Sequence, residues 1–293
     1  MAGVPQIAVV GASGDLGRLI LAKLYDVVEI EVSGTSRKPA LLSDFLKHEE
    51  PPGILELDLE DVSAAAEALQ GFDKIIFCPI LSLSAPVGLE LRKLGSEAQM
   101  IFFSSNNVGL DFESPVYEEL RQAEVKISEM SGVWSIIRPT MIYGFLGDGN
   151  IGRLVQFAMT KSWLPMIGSG NALQQPIHYD DLCDLTVDLV LREDAPPREI
   201  GAAGPDCVSL AELYDKIIAA AERNVRCIRP PLGLIKPLLG KNGKIGPISA
   251  AQIRRAEIDK RPTWPLPEGW TAKISLEEGI SDLVSQFRAN AHK

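Results

Sequence analysis

The chain of 293 residues is poor in the groups that build disulfide and metal frameworks, with four cysteines and three histidines. Cys78, Cys183, Cys207 and Cys227 are scattered, with no CxxC pair and no histidine beside them at metal-ligand spacing. That pattern excludes a disulfide scaffold and a zinc module, and no metal site is expected. The four are read as reduced core residues of a cytoplasmic protein. No apolar run reaches bilayer-spanning length; the most apolar stretch, Ile76 to Leu83, is broken by Pro79 and serines, so no membrane partner is expected. The amino terminus lacks a basic region followed by a signal-type core and enters a strand-like run by Ile7. Basic residues are in deficit, 29 against 39 acidic, for a formal net charge of −10. An acidic surface repels phosphate backbones, which excludes nucleic acid as the main partner. Internal repeats and low-complexity tracts are absent too.

What is present is a globular composition, 46 % hydrophobic and 23 % charged, in a chain long enough for one large domain or two joined lobes. The first 140 residues alternate β-rich runs with helical periodicity. Gln6–Val10 is a continuous apolar run that stops at glycine, as a strand buried on both faces does. Leu16, Ile20 and Leu24 then recur at helical spacing. Strands are expected at Val28–Val32, Ile54–Asp58, Ile76–Cys78, Met100–Ser104 and Val133–Ile137. Helices are marked by Val62/Ala66/Leu69, by Leu89/Leu94 and by the stretch Val116–Met130. This alternation predicts an α/β fold with a parallel sheet and right-handed crossovers. Beyond Pro139 the pattern loosens into a glycine-rich loop at Gly144–Gly149, a helix at Ile151–Met159, a short strand at Pro176–Tyr179 and a helix striped by Leu182, Leu185 and Leu189. Ser209 with Glu212 and Ser275 with Glu278 are capping boxes ahead of apolar helical stripes. Arg229–Gly246, rich in proline, glycine and lysine, reads as a loop or lid.

The first strand runs directly into Gly11-Ala-Ser13-Gly14-Asp15-Leu16-Gly17, where a helix begins. One glycine makes the tight turn, another lets backbone approach a pyrophosphate, and a third lets helix and strand pack closely. The helix start adds free N–H groups and a positive dipole end. Placed between a buried strand and an amphipathic helix, this spacing points to a dinucleotide. An NAD-selecting chain usually carries a carboxylate about 20 residues further on, for the ribose hydroxyls. Here that stretch reads Gly34-Thr-Ser36-Arg37-Lys38. A guanidinium pairs with a 2′-phosphate and stacks on adenine, which favours NADP, with NAD as the alternative. The bland reading makes Arg37 and Lys38 solvated loop charges. Asp58, ending the third strand, is a candidate for the adenine amino group or a turn-capping aspartate.

GASGDLG, the strand Ile101-Phe-Phe-Ser-Ser105, Tyr117-Glu-Glu-Leu-Arg121, Arg138-Pro-Thr-Met-Ile-Tyr-Gly144, Gln175-Pro-Ile-His-Tyr-Asp-Asp-Leu182 and Ile274-Ser-Leu-Glu-Glu-Gly-Ile280 occur in one order. Together they resemble the extended or atypical short-chain dehydrogenase/reductases of the NAD(P)-dependent epimerase/dehydratase type, over essentially the whole chain. The resemblance implies a Rossmann-type doubly wound parallel sheet with a smaller C-terminal substrate lobe. The dinucleotide domain would span residues 1–145, with 176–202 returning to it, and the lobe 146–175 and 203–293. It implies an NAD(P)-dependent oxidoreductase or epimerase acting at a hydroxyl or keto carbon of a nucleotide sugar or similar polar metabolite. The alternative is a dinucleotide-binding regulatory or assembly protein that has lost catalysis. A homodimer is expected by the same analogy. Leu59, Cys78, Pro79 and Pro139, at or near strand ends, join the implied cofactor contacts.

In that family a Ser or Thr binds the substrate oxygen, a Tyr moves the proton, and a Lys four residues later holds the nicotinamide ribose and lowers the Tyr pKa. Ser105 matches the serine and Tyr117 the tyrosine, while position 121 carries arginine. The spacing puts Tyr117 and Arg121 on one helical face, away from the stripe of Val116, Leu120 and Ile127. On the substrate side Asn150 matches an asparagine that holds the diphosphate, and Arg153 follows one turn later. Gln174 stands where an arginine is expected; Arg153, Arg223 and Arg226 are candidates to compensate. Thr140 and Tyr143 are expected to border the nicotinamide. The resemblance makes His178, Asp180 and Asp181 a structural turn and helix cap, and Trp163, Trp264 and Trp270 packing residues.

Overall fold

A strand covered on both faces must be apolar throughout, and Gln6–Val10 (β1) meets that demand, with Ile7, Ala8, Val9 and Val10 all buried. The computed structural model describes residues 4–43, 53–230, 244–245, 248–249, 253 and 255–291. After β1 come α1 (Asp15–Tyr25), β2 (Glu31–Ser36), the short α2 (Ala40–Ser43), β3 (Gly53–Glu56), α3 (Val62–Ala68), β4 (Lys74–Ile80) and α4 (Leu81–Lys93). Then follow β5 (Gln99–Phe103), a 3-10 turn at Asn106–Gly109, α5 (Pro115–Ser128) and β6 (Trp134–Pro139). Later elements are β7 (Ile142–Tyr143), α6 (Ile151–Thr160), β8 (Trp163–Pro165), β9 (Leu173–Gln174), β10 (Ile177–His178), α7 (Tyr179–Leu191) and β11 (Glu199–Ala202). The last are β12 (Val208–Ser209), α8 (Leu210–Ala221), β13 (Arg226–Ile228), β14 (Lys244–Ile245), β15 (Ile248–Ser249) and α9 (Leu276–Ala291).

The chain divides into two compact units. The first holds residues 1–108, 115–138 and 182–201. Its seven-stranded sheet has the order β11-β6-β5-β4-β1-β2-β3, with β1 to β6 running parallel. Strand order runs one way from β1 and the other way from β4, so the carboxyl ends of these two strands form a topological switch point. The parallel sheet is the one the alternation of strands and helices predicts, and its doubly wound order is the Rossmann type that the resemblance implies.

Two strand positions differ from the expected ones. β2 spans Glu31–Ser36 instead of Val28–Val32, and Val28 stands 94 % exposed. The strand is made of small and polar residues, so hydrophobic pattern misses it. At Gly34 a Cβ would come within 2.7 Å of the Leu21 side chain and 3.0 Å of Ala12, so the strand packs closely on the helix here. β3 pairs over Gly53–Glu56 and stops two residues short of Asp58. On α5 the buried stripe is Leu120, Ala123, Glu124 and Ile127, while Val116 is exposed.

The second unit holds residues 109–114, 139–181 and 202–293. Its core gathers Ile151, Val155, Leu213, Tyr214, Ile217, Leu276, Ile280 and Leu283 from α6, α8 and α9. Both expected capping boxes form. Ser209 Oγ accepts from the Glu212 N–H while Glu212 Oε2 accepts from the Ser209 N–H, and Ser275 and Glu278 repeat the exchange. Of the expected loop or lid at Arg229–Gly246, residues 231–243 and 246 lie outside the described residues, and Lys244–Ile245 pairs with β15. All four cysteines are free thiols, but only Cys183 is a core residue. Cys78 is half-buried, while Cys207 and Cys227 are exposed, the latter on β13, whose three residues all face solvent. Among the described residues no helix is long and apolar enough to cross a membrane.

Candidate functional site

In the first unit the glycine turn is built by close approach. Gly11 has φ +76°, and a Cβ there would meet the Pro79 ring at 2.8 Å, so the end of β4 closes over it. A Cβ on Gly17 would lie 2.4 Å from the Gly11 carbonyl oxygen, which is why the helix packs this tightly on the turn. Gly14 is the α1 N-cap, with no side chain to occupy the first-turn N–H groups, and its Cβ position meets nothing nearer than 3.4 Å. Asp15, Leu16 and Gly17 therefore offer their N–H groups at the positive end of the helix dipole. The turn is anchored on β2: the Ala12 N–H donates to the Thr35 carbonyl (2.9 Å) and the Gly11 N–H to Thr35 Oγ1 (3.3 Å).

Arg37 and Lys38 follow the carboxyl end of β2 and are exposed. Ser36 is buried there; its hydroxyl donates to Ser13 Oγ (2.9 Å) and accepts from the Lys38 N–H (3.0 Å). The strand's one carboxylate, Glu31, sits at the opposite end, where it accepts from the Gln6 side-chain amide. Asp58 is exposed and its Oδ1 accepts from the Glu60 N–H (3.1 Å), the geometry of a turn cap; Leu59 is buried. Burial pushes the Cys78 thiol well above its ordinary range.

Ser105 and Tyr117 are joined through one residue that sequence reasoning missed, Asn107. The Asn107 N–H donates to Ser105 Oγ (3.2 Å), and its side-chain Nδ2 donates to Tyr117 Oη (2.9 Å). Nothing in motif spacing marks Asn107; it is found only because the 3-10 turn folds it back toward α5. Arg121 donates from Nη1 to the Val108 carbonyl (2.9 Å) and from Nε to Glu118 Oε2 (2.9 Å). That pairing holds the Glu118 carboxyl below its ordinary pKa. The helix carrying these residues is pinned to β6 by Arg138, 2 % exposed, whose fork meets both oxygens of buried Glu124 at 2.9 and 3.0 Å. Glu199 on β11 accepts a further bond from Arg138 at 2.8 Å.

In the second unit Pro139 is buried at the end of β6, and the Thr140 hydroxyl donates to the Gln175 carbonyl (2.6 Å). Tyr143 does not border an open site: it is buried in this unit's core, its hydroxyl donating to the Ser275 carbonyl (3.3 Å). Its ring fills the space above Gly279, where a Cβ would lie 2.6 Å away. His178 is buried in the second unit. Its Nδ1 accepts from the Asp180 N–H, it lies under Gly144, and burial holds its pKa below the usual value. Asp181 accepts from the Lys273 and Ile274 N–H groups.

Asn150 and Arg153 share the start of α6, where Asp148 caps the Asn150 and Gly152 N–H groups (2.8 Å each). Asn150 Nδ2 donates to the Ile142 carbonyl. Gln174 is on β9 and, among the described residues, hydrogen-bonds to neither of them. It is 1 % exposed, and its Oε1 has no partner among the described residues. Beside it the backbone of Lys260 forms a parallel bridge, with the Lys260 N–H on the Leu173 carbonyl (2.7 Å). Burial, reinforced by the Arg255 charge, lowers the Lys260 ammonium to about 8. Of the two other arginines considered for compensation, Arg223 donates to the Met159 carbonyl and Arg226 is exposed on β13.

No protein-family model matches the chain. No curated protein matches it. Solved structures do. A dTDP-glucose 4,6-dehydratase from Bacillus anthracis, in complex with NAD, has a TM-score of 0.73 at 13 % identity and covers 98 % of both chains. A UDP-glucuronic acid 4-epimerase from Bacillus cereus, with UDP-glucuronic acid and NAD, has a TM-score of 0.74 at 14 % identity, over 97 % of this chain and 99 % of its own. A UDP-glucose 4-epimerase from Thermotoga maritima, with UDP-glucose, has a TM-score of 0.69 at 15 % identity, over 98 % and 99 %. At this identity the likeness is one of fold: the chain has the fold of these dehydratase and epimerase structures.

Proposed function

We propose that the protein is an NADP-linked oxidoreductase or epimerase of the short-chain dehydrogenase type, acting at a hydroxyl or keto carbon of a nucleotide sugar or similar polar metabolite. The carrying observation is the cradle at the β1–α1 turn, where three glycines leave backbone N–H groups uncovered beside the hydrogen-bonded pair of Ser13 and buried Ser36 and beside Arg37. Gly14 to Gly17 would hold a nicotinamide dinucleotide by its pyrophosphate, and the bound cofactor would supply hydride transfer. In this reading Gly14, Asp15, Leu16 and Gly17 receive the pyrophosphate at the helix start. Ser13, Ser36, Arg37 and Lys38 receive the 2′-phosphate, because a guanidinium matches a phosphate where an NAD-selecting chain would place a carboxylate. The solved neighbours with NAD in place support a nicotinamide dinucleotide of either kind.

Ser105 Oγ–H binds the substrate oxygen and Tyr117 Oη gives or takes the proton. Their shared link through Asn107 supports an enzyme over a non-catalytic dinucleotide-binding regulator. Within the second unit, Asn150 and Arg153 at the α6 N-terminus carry the polar groups suited to a diphosphate. Lys260 stands beside Gln174 as the positive charge for a phosphate that position 174 no longer provides. Fluorescence titration tests the cofactor assignment. Arg37→Asp is expected to weaken NADPH binding at least tenfold, about 1.4 kcal/mol, and NADH binding little. Equal losses for both cofactors refute NADP; no binding of either to the unmodified protein refutes the function.

A further inference from the structure

We infer that Asn107 is the positioning residue for Tyr117, supplying the hydrogen-bond donor that a lysine at position 121 would otherwise bring, while Arg121 acts indirectly through the turn that carries Asn107. The inference rests on Tyr117 being the proton-transferring group of the proposed function. One residue reaches both reactive oxygens: its main-chain N–H is 3.2 Å from Ser105 Oγ and its Nδ2 is 2.9 Å from Tyr117 Oη. In both bonds the hydroxyl oxygen is the acceptor, so each hydroxyl keeps its own hydrogen to donate. A donor on a phenol oxygen favours the phenolate, which is the effect a neighbouring ammonium has.

The placement of Asn107 depends on the 3-10 turn Asn106–Gly109 lying against α5. Side-chain bonds from Asn107 to Tyr117 and from Arg121 Nη1 to the Val108 carbonyl tie the turn to the helix. A guanidinium suits the second task because it spans two acceptors at once, the Val108 carbonyl and Glu118 Oε2. A single ammonium has no such fork. The arginine at position 121 and the asparagine at 107 thus form one arrangement, in which the cation holds the turn and the amide serves the phenol. The charged groups near Tyr117 on its own helix are Glu118 and Arg121, paired with each other. The turn has none. From α4, Glu90 and Lys93 pair with one another and line a cleft together with Glu119, Gln122 and Lys126 of α5.

The test uses the full chain labelled at tyrosine Cζ with carbon-13, with the Tyr117 signal among the five tyrosines assigned by Tyr117→Phe. Asn107→Ala is expected to raise the Tyr117 ionisation midpoint by about half to one pH unit and leave the other four in place. The isosteric Asn107→Asp removes the donor and adds a like charge, so it raises the midpoint further, and it carries the same reading if the alanine variant fails to fold. In an Asn107→Ala background, Arg121→Met is expected to add no further shift. A Tyr117 midpoint unmoved by both Asn107 variants overturns the inference, and so does an additional shift from Arg121→Met, which would show the cation acting directly. Dinucleotide titration of the unmodified protein runs alongside: absence of binding defeats the proposed function while the tyrosine titration still decides the role of Asn107.

Discussion

Replacing Arg138 by methionine isolates a fully buried cation that holds α5 to the sheet. Methionine keeps most of the side-chain length and removes the charge, so packing changes little and the electrostatics change entirely. Two carboxylates lose a partner, but their environments differ. Glu124 is buried and meets the guanidinium with both oxygens at 2.9 and 3.0 Å, whereas the Glu199 side chain is half-exposed. Breaking a buried pair leaves an uncompensated charge and costs about 3–5 kcal/mol. A bond to a half-exposed carboxylate is worth about 1 kcal/mol or less. Arg138→Met is therefore expected to lower Tm by roughly 6–20 °C, and Glu199→Gln by no more than about 4 °C. The double variant Arg138→Met/Glu124→Leu removes both charges and is expected to recover most of the loss, because an apolar replacement of a buried pair is often neutral or stabilising. Thermal unfolding followed by circular dichroism reads all four proteins. An Arg138→Met variant within about 1 kcal/mol of the parent, or a Glu199→Gln as damaging as Arg138→Met, would refute the reasoning.

Two further outcomes follow from single positions. Gly17→Ala places a methyl 2.4 Å from the Gly11 carbonyl, a backbone atom that cannot swing away, so the turn must open. A loss of about 1–3 kcal/mol and at least tenfold weaker dinucleotide binding are expected in thermal unfolding and fluorescence titration, and unchanged binding contradicts the cradle. Lys260 is lowered to about 8 from its ordinary 10.5, so the folded chain disfavours its proton. That penalty is full below pH 8 and fades as pH rises toward the unfolded value. Lys260→Met is thus expected to stabilise the protein at pH 7 by an amount on the order of 1–3 kcal/mol, with the difference shrinking by pH 10; a pH-independent difference between the two proteins defeats it.

The legible parts were those governed by neighbours in sequence. β1 announces itself because a strand buried on both faces needs an unbroken apolar run, and Gln6–Val10 has one. The capping boxes at Ser209 and Ser275 are exchanges over three residues, so spelling is enough. Gly11, Gly14 and Gly17 likewise state a local backbone need. β2 was misplaced because small polar residues carry no hydrophobic period; its position is set by pairing with β1 and β3 on either side. Tyr143 read as a site residue from motif order, yet it is buried by Gly279 and Ser275, more than 130 residues away.

Charge tells the same story at the site. By itself the amino-acid order determined the acidic balance, the glycine-built strand-to-helix turn and the arginine at position 37, since each depends on residue type and short spacing. Only the tertiary structure decided what the unexpected residues do. Arg121 grips Val108 and Glu118, Asn107 stands between Ser105 and Tyr117, and Lys260 comes to lie beside Gln174 across 86 residues. Hydrogen bonds and buried charges act over a few ångströms, and folding alone chooses which distant residues come within that reach.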